Sequence, residues 1–265
     1  MRALPRLECK TENLLPATDL SPADIFRSPA IDRLWTDSLA ALNQFKLPAG
    51  ALGVNPGDRR AVFYLTCALR PSSVLEIGTQ IGASTVHIAS ALQKCGNGSN
   101  DLARMTTVDV VDVNCDVDAP WVHYGMTYSP GEMVGALGYR GGVEVEFVKD
   151  TSLHFMAHCD RKFDLIFLDG DHWGPTVYQE IPAALNLLNP NGVILLHDYF
   201  PEMRPLWSDR SCIPGPYLAV QQLRENGADL TVVPLGELPW PTKLQSNATS
   251  LAVVLRDPEP RPRKS

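Results

Sequence analysis

Ser73-Val-Leu-Glu-Ile-Gly-Thr-Gln-Ile-Gly-Ala-Ser84 is the stretch on which the fold turns. A short apolar run stops at Gly78, and a second glycine follows at Gly82. The run fits a buried strand. The two glycines let the backbone approach a ligand closely and turn sharply. Ala83 to Cys95 then reads as a helix, with Gly96 as its C-cap. A strand that passes through a glycine loop into a helix presents free N–H groups and a partial positive charge, which suit an anionic group.

Outward from this unit the pattern repeats. Met105–Val111, Val143–Val148, Phe163–Asp169 and Gly192–Asp198 read as further strands. Helices are expected over 129–139, with Ser129-Pro-Gly-Glu132 as their start signal, and over 151–160, 176–188 and 217–226. Leu230–Pro234 and Ser250–Leu255 read as closing strands. Alternating helices and continuously apolar strands imply an α/β fold: a doubly wound, mainly parallel seven-stranded sheet with helices on both faces. Ligands of such sheets bind beyond the carboxyl ends of the strands. Upstream, helices over 19–46 and 57–69 form an N-terminal helical cap. The expected organisation is a cap over 1–57, the α/β domain over 58–256, and a polar, proline-rich disordered tail over 257–265.

Composition narrows the function. The net charge is -7, without a long basic run, so the field repels phosphate backbones and nucleic acid is not an expected partner. No apolar stretch is long enough for a membrane span, and the N-terminus lacks the apolar core of a secretory signal, which gives the expectation of a cytoplasmic protein. The six cysteines are scattered, with no C-x-x-C pair, and read as reduced structural thiols. Asn97-Gly-Ser99 and Asn247-Ala-Thr249 match a glycosylation pattern that means nothing without secretion.

The strand ends carry the chemistry. Glu76, Gly78 and Gly82 form E-x-G-x-x-x-G, which resembles the first motif of class I S-adenosylmethionine-dependent methyltransferases, a Rossmann-like fold. Gln80, where a nicotinamide site has glycine, looks like the catechol O-methyltransferase group. Asp169-Gly-Asp-His172 after the fourth strand and His197-Asp-Tyr199 after the fifth are similar to a methyltransferase subgroup with "DGDH" and "HDY" at these places. The resemblance spans about residues 58 to 200 and, more loosely, 201 to 256. It implies S-adenosyl-L-methionine as cofactor. Glu76, Gly78, Gln80, Gly82 and Ser84 would then surround its methionine end. Asp109 would bind its ribose hydroxyls, with Asp112 as competitor. Asp150, Thr151 and Ser152 would lie beside the adenine, although Thr151 and Ser152 fit an N-cap equally well.

In the metal-dependent relatives, acids ending strands four and five hold Mg²⁺. The matching residues are Asp169 and Asp198, with His197 in tandem. The chain departs from the pattern here, because a histidine replaces a hard oxygen ligand. Weak Mg²⁺ binding, a softer ion such as Mn²⁺, or no metal at all stay open. The resemblance makes His172 the general base and Asp169 the group that holds the acceptor hydroxyl. His154 and His158 read as surface residues, and His87 as packing. Trp121, His123, Tyr124 and Tyr128, then Tyr199, Phe200, Trp207 and Tyr217, wall a substrate pocket, cover the sheet edge or make a subunit contact. Residues 201–216 read as a lid or specificity loop. The expected partner is a small-molecule acceptor, with a homo-oligomer left open. N-methylation, a non-catalytic cofactor-binding scaffold and a nicotinamide-dependent oxidoreductase are the rival readings.

Overall fold

A computed structural model describes residues 7–8, 19–49, 53–95, 102–117, 119–138, 142–228 and 230–256. Its centre is a seven-stranded sheet of β1 (Ser73–Ile77), β2 (Ala103–Asp109), β3 (Val143–Lys149), β4 (Phe163–Leu168), β5 (Leu188–Leu196), β6 (Leu230–Pro234) and β7 (Ala252–Arg256). The spatial order is β3-β2-β1-β4-β5-β7-β6. β1 to β5 are parallel, and β7 runs antiparallel to both β5 and β6. The order reverses at β1, which pairs with β2 on one side and β4 on the other. The crevice beyond such a reversal is where doubly wound sheets bind ligands.

The apolar runs are continuous because both faces are covered. Val74, Leu165, Phe167, Val193 and Leu195 pack with α3 (Pro56–Leu69) and α4 (Ala83–Cys95). The alternate residues Leu75, Ile77, Ile166, Leu168, Ile194 and Leu196 pack with α8 (Gly174–Leu187) and α9 (Gly215–Glu225). Successive side chains of a strand point to opposite faces, so two covered faces demand an apolar residue at every position.

The helix expected over 19–46 is two helices, α1 (Pro22–Phe26) and α2 (Pro29–Asn43). Pro29 has no N–H to continue the bonding of α1, and Ser28 caps α2 through the N–H of Ile31. Asp19–Leu20 instead pair antiparallel with Leu7–Glu8. Ile25, Phe26 and Ile31 belong to the same buried cluster as Val74 and Leu165. Trp35 of α2 meets Phe63 edge-on at 5.2 Å and stacks on His87 at 5.8 Å. His87 is a packing residue, as read: burial holds its imidazole down to about 3, and its Nδ1 lies 2.6 Å from the carbonyl of Ala83.

Between the main strands lie α5 (Pro120–His123), which the sequence reading lacked, α6 (Pro130–Ala136) and α7 (Ser152–His158). α6 opens with the capping box spelled by Ser129 and Glu132. β5 starts earlier than expected. It pairs with β4 at Leu188 and again from Val193, and Asn189–Gly192 form the irregularity between. The thiol reading is corrected at one place: Cys67 and Cys95 form a disulfide, while Cys115, Cys159 and Cys212 are free. Side-by-side packing of α3 and α4 brings the two Cα atoms to 5.4 Å, a contact that a separation of 28 residues does not signal. Gly96, Asn97-Gly-Ser99, Cys9, Tyr139 and the tail over 257–265 lie outside the described residues. Among the described residues, no helix is long and apolar enough to cross a membrane.

Leu165 and Ile166 face opposite layers and are both fully buried. Leu165→Ala and Ile166→Ala should each lower the unfolding free energy by about 2–5 kcal/mol in urea denaturation. A cost below about 1 kcal/mol at either position would mean that one face of the sheet is open.

Candidate active site

The carboxyl ends of β1, β2, β3, β4 and β5 bring the expected residues to one edge of the sheet. Gly78 follows β1 at φ +93°, and its N–H donates to the carbonyl of Val108 at 2.9 Å. A Cβ on Gly78 would lie 2.1 Å from the carbonyl oxygen of Asp169, so only glycine fits. A Cβ on Gly82, at φ +76°, would lie 2.8 Å from Cβ of Pro130 and 3.0 Å from Cε of Met133 in α6. Asp109 ends β2, and its Oδ2 accepts the N–H of Gln80 at 2.8 Å. The ribose candidate and the glycine loop are therefore tied together. Asp112 accepts the N–H of Asn114 in the exposed turn beyond, away from this contact.

Glu76 is fully buried. Its Oε2 accepts from the hydroxyls of Thr85 and Thr107, each at 2.6 Å. Oε1 is equally buried and meets no hydrogen-bond partner among the described residues. Burial pushes the carboxyl up to about 7, against the neighbouring hydroxyls of Ser84, Thr107 and Thr85. A buried acceptor left open in this way fits a cationic ligand group, such as the ammonium of a methionine moiety. After β3, Thr151 takes the capping role considered for it: its side chain accepts the N–H of His154 and starts α7, with Ser152 as the first helical residue. Asp150 accepts from the N–H of Thr151 at 2.8 Å and pairs with the His154 ring at 2.7 Å. His154 and His158 are exposed, as read.

The densest chemistry joins β4 and β5. Asp169, His172, His197 and Asp198 present ligand atoms within 4.8 Å of one another. His172 Nε2 lies 3.1 Å from Asp198 Oδ2 and 3.3 Å from Asp169 Oδ1. Burial pulls its imidazole down, but the two carboxylates outweigh this and raise it to about 9. His197 places Nδ1 2.7 Å from Asp169 Oδ1 and Nε2 3.3 Å from Asp58 Oδ2. Burial opposes its charge, yet Asp169 and Asp198 hold it well above the ordinary histidine range. Asp198 adopts φ +52° and accepts from Ser250 at 3.1 Å; the imidazolium charges overcome its burial and bring it to about 2.

This geometry bears on two expected roles. The carboxylates 3.1 and 3.3 Å from Nε2 favour the protonated form of His172, which opposes its action as a base until they are engaged elsewhere. Both ring nitrogens of His197 lie against carboxylates, which compete with a metal for them. Asp169 and Asp198, with His172 between them, fit a divalent ion: two hard oxygen donors flank a point where the structure already balances positive charge.

Sequence reasoning missed Asp58, Asn55, Thr249 and Ser250. Asp58 reads as an ordinary first-turn acid of a helix, and no periodicity marks Thr249 or Ser250. It also missed Gly215, at the start of α9. A Cβ there would lie 1.9 Å from the carbonyl of His172, so α9 presses directly on the DGDH loop. Among the aromatics, Tyr199, Phe200 and Trp207 are buried, and Phe200 meets Trp207 edge-on at 5.5 Å. They cover the sheet, and through Trp207 they anchor the loop that starts at Pro201.

Residues 75–199 match the family described as a methyltransferase domain. None of the curated proteins matches the chain. Similar solved structures include the O-methyltransferase TomG of Streptomyces achromogenes, involved in tomaymycin synthesis and solved with S-adenosylmethionine: 19% identity, TM-score 0.53, covering 86% of this chain and 91% of that one. The O-methyltransferase of Bacillus cereus, with S-adenosylhomocysteine, shows 17% identity and a TM-score of 0.51 over 86% and 90%. The S-adenosylhomocysteine-bound methyltransferase PaMTH1 of Podospora anserina shows 16% and 0.53 over 86% and 95%. At these identities the likeness is one of fold, and the fold is the class I methyltransferase fold.

Glu76 gives a pH signature. Its folded-state carboxyl lies above the ordinary 4.5, so the folded chain binds the proton more tightly than the unfolded chain, and stability falls as pH rises through 4.5 to about 7. At about 1.4 kcal/mol per unit the loss is on the order of 3 kcal/mol. Urea unfolding from pH 5 to pH 8 should show this fall in the ligand-free wild type and a flatter profile in Glu76→Gln. Parallel profiles would remove Glu76 as the source.

Proposed function

Because residues 75–199 form a methyltransferase domain within a class I fold, we propose that the chain transfers the methyl group of S-adenosyl-L-methionine to a hydroxyl of a small molecule, with a divalent ion assisting. The observation that carries this reading is the Asp169–His172–Asp198 cluster beside the glycine loop. The cofactor supplies a sulfonium-bound methyl; the C–S bond breaks as the C–O bond forms. A divalent ion would polarise the acceptor oxygen.

The chain's own residues do the rest. The loop from Gly78 to Gly82, Glu76 Oε1 and Asp109 are disposed to bind and orient the cofactor. Holding the nucleophile in line with the methyl can contribute about 7–11 kcal/mol. Asp169 and Asp198 face the acceptor oxygen. His172 receives the hydroxyl proton, which it can do only after losing the one that the two nearby carboxylates favour on its ring. A second cation between Asp169 and Asp198 is what would release it, and this is the physical reason to pair a divalent ion with a histidine base here. The net charge of -7 supports a small acceptor over nucleic acid.

Calorimetry with S-adenosylmethionine, with NAD as control and Mg²⁺ or Mn²⁺ varied, should give micromolar affinity for the sulfonium cofactor and none for NAD. In a panel of phenols, sugar hydroxyls and amines, followed by S-adenosylhomocysteine release, His172→Ala should keep cofactor affinity and lose about 10²–10⁴-fold in turnover. Asp169→Asn should lose any stimulation by metal. Binding of NAD alone would refute the class; full turnover in His172→Ala would refute the base.

A further inference from the structure

Asp58 lies in the first turn of α3, before the sheet begins, and its side chain is fully buried. A first-turn acid that serves only the helix end has no need of burial, because the partial charge there acts at the surface as well. The cap of α3 is in any case Asn55, whose Oδ1 accepts the N–H of Asp58 at 3.0 Å. Arg59, next in the chain, does not balance Asp58; its guanidinium donates to the carbonyls of Val54 at 2.5 Å and Pro48 at 2.7 Å. The Asp58 carboxylate is held from three sides. Thr249 Oγ1 donates to Oδ1 at 2.5 Å, Asn55 Nδ2 donates to Oδ2 at 2.7 Å, and His197 Nε2 lies 3.3 Å from Oδ2. The same His197 ring reaches Asp169 Oδ1 with Nδ1 at 2.7 Å. A buried carboxylate is tolerated only when it is paired and hydrogen-bonded, and here the pairing runs straight into the acids of the site.

We propose that Asp58 is a positioning residue: by holding His197 between itself and Asp169, it sets the orientation of the Asp169 carboxylate toward the acceptor oxygen or a divalent ion. The N-terminal helices are then part of the site and not only its cover. The link to a divalent ion rests on the reading of the preceding section, whereas the link from Asp58 to His197 does not. Partners that orient ligands from behind typically change metal affinity about 10–100-fold when removed.

The test uses the full chain as wild type, Asp58→Asn and Thr249→Val. Thermal melting and S-adenosylmethionine affinity report whether each variant is folded. A ¹H–¹⁵N correlation of the imidazoles should show the Nε2–H of His197, bonded to Asp58, in the wild type. It should be lost or moved upfield in Asp58→Asn and moved partway in Thr249→Val. Titration with Mn²⁺ alone, read by electron paramagnetic resonance, should show affinity about 10–100-fold weaker in Asp58→Asn and less weakened in Thr249→Val. Unchanged His197 signals in folded Asp58→Asn would overturn the proposal. If Asp58→Asn does not fold, Thr249→Val decides by the same signals. If the wild type takes no Mn²⁺, the divalent ion of the preceding section falls, and the imidazole spectrum alone decides for or against Asp58.

Discussion

The carbonyl oxygen of Asp169 occupies the place where any residue but glycine would put a side chain at position 78. This backbone contact joins the ends of β1 and β4, the two strands at the centre of the sheet. It brings the glycine loop, which reaches Asp109 through the N–H of Gln80, against the acid that reaches His172 and His197. Gly215 does the same from the other side, seating α9 on the carbonyl of His172. Two residues without side chains thus set the spacing between the glycine-loop end of the crevice and its acidic end.

Charge is balanced locally. Asp58, Asp169 and Asp198 are three carboxylates in contact with two imidazoles, and His197 is more buried than Asp169 or Asp198. In a medium of low effective dielectric such pairs interact strongly, and removal of one member leaves another uncompensated. The backbone contributes as well. Asp198 sits at φ +52°, a region that costs a non-glycine residue on the order of 1 kcal/mol and that recurs at functional sites. The return on that strain is that His197 and Asp198, neighbours in sequence, both face the same cluster.

Much of this was readable from the residues alone, for definite reasons. Burial on two faces writes itself as uninterrupted apolar runs, so β1, β4 and β5 were plainest. The resemblance to methyltransferase motifs after these strands let Glu76, Asp109, Asp169 and Asp198 be named in advance. The capping box at Ser129 and Glu132 is local chemistry and was equally plain. What escaped depends on distance along the chain. Pro29 divides a helix whose periodicity continues through it. Cys67 and Cys95 are joined because two helices lie side by side. Asp58 and Thr249 meet across 191 positions, and neither has a neighbour in sequence that hints at the other. The upward pull on the His172 imidazole was hidden for a related reason: it comes from two acids, one of which arrives from the next strand.

That contact between Asp58 and Thr249 also orders events in time. Chains emerge from the ribosome at roughly 5–20 residues per second, N-terminal part first. Asp58 is made well before His197, and Thr249 is among the last described residues to appear. The glycine loop and β1 to β4 can assemble while the Asp58 carboxylate is still hydrated, because their pairing needs nothing from beyond β4. Only when β5 and the strand after Thr249 dock does that carboxylate leave water, and it does so into partners already in place. A nascent chain can therefore hold the glycine loop before its acidic cluster is complete.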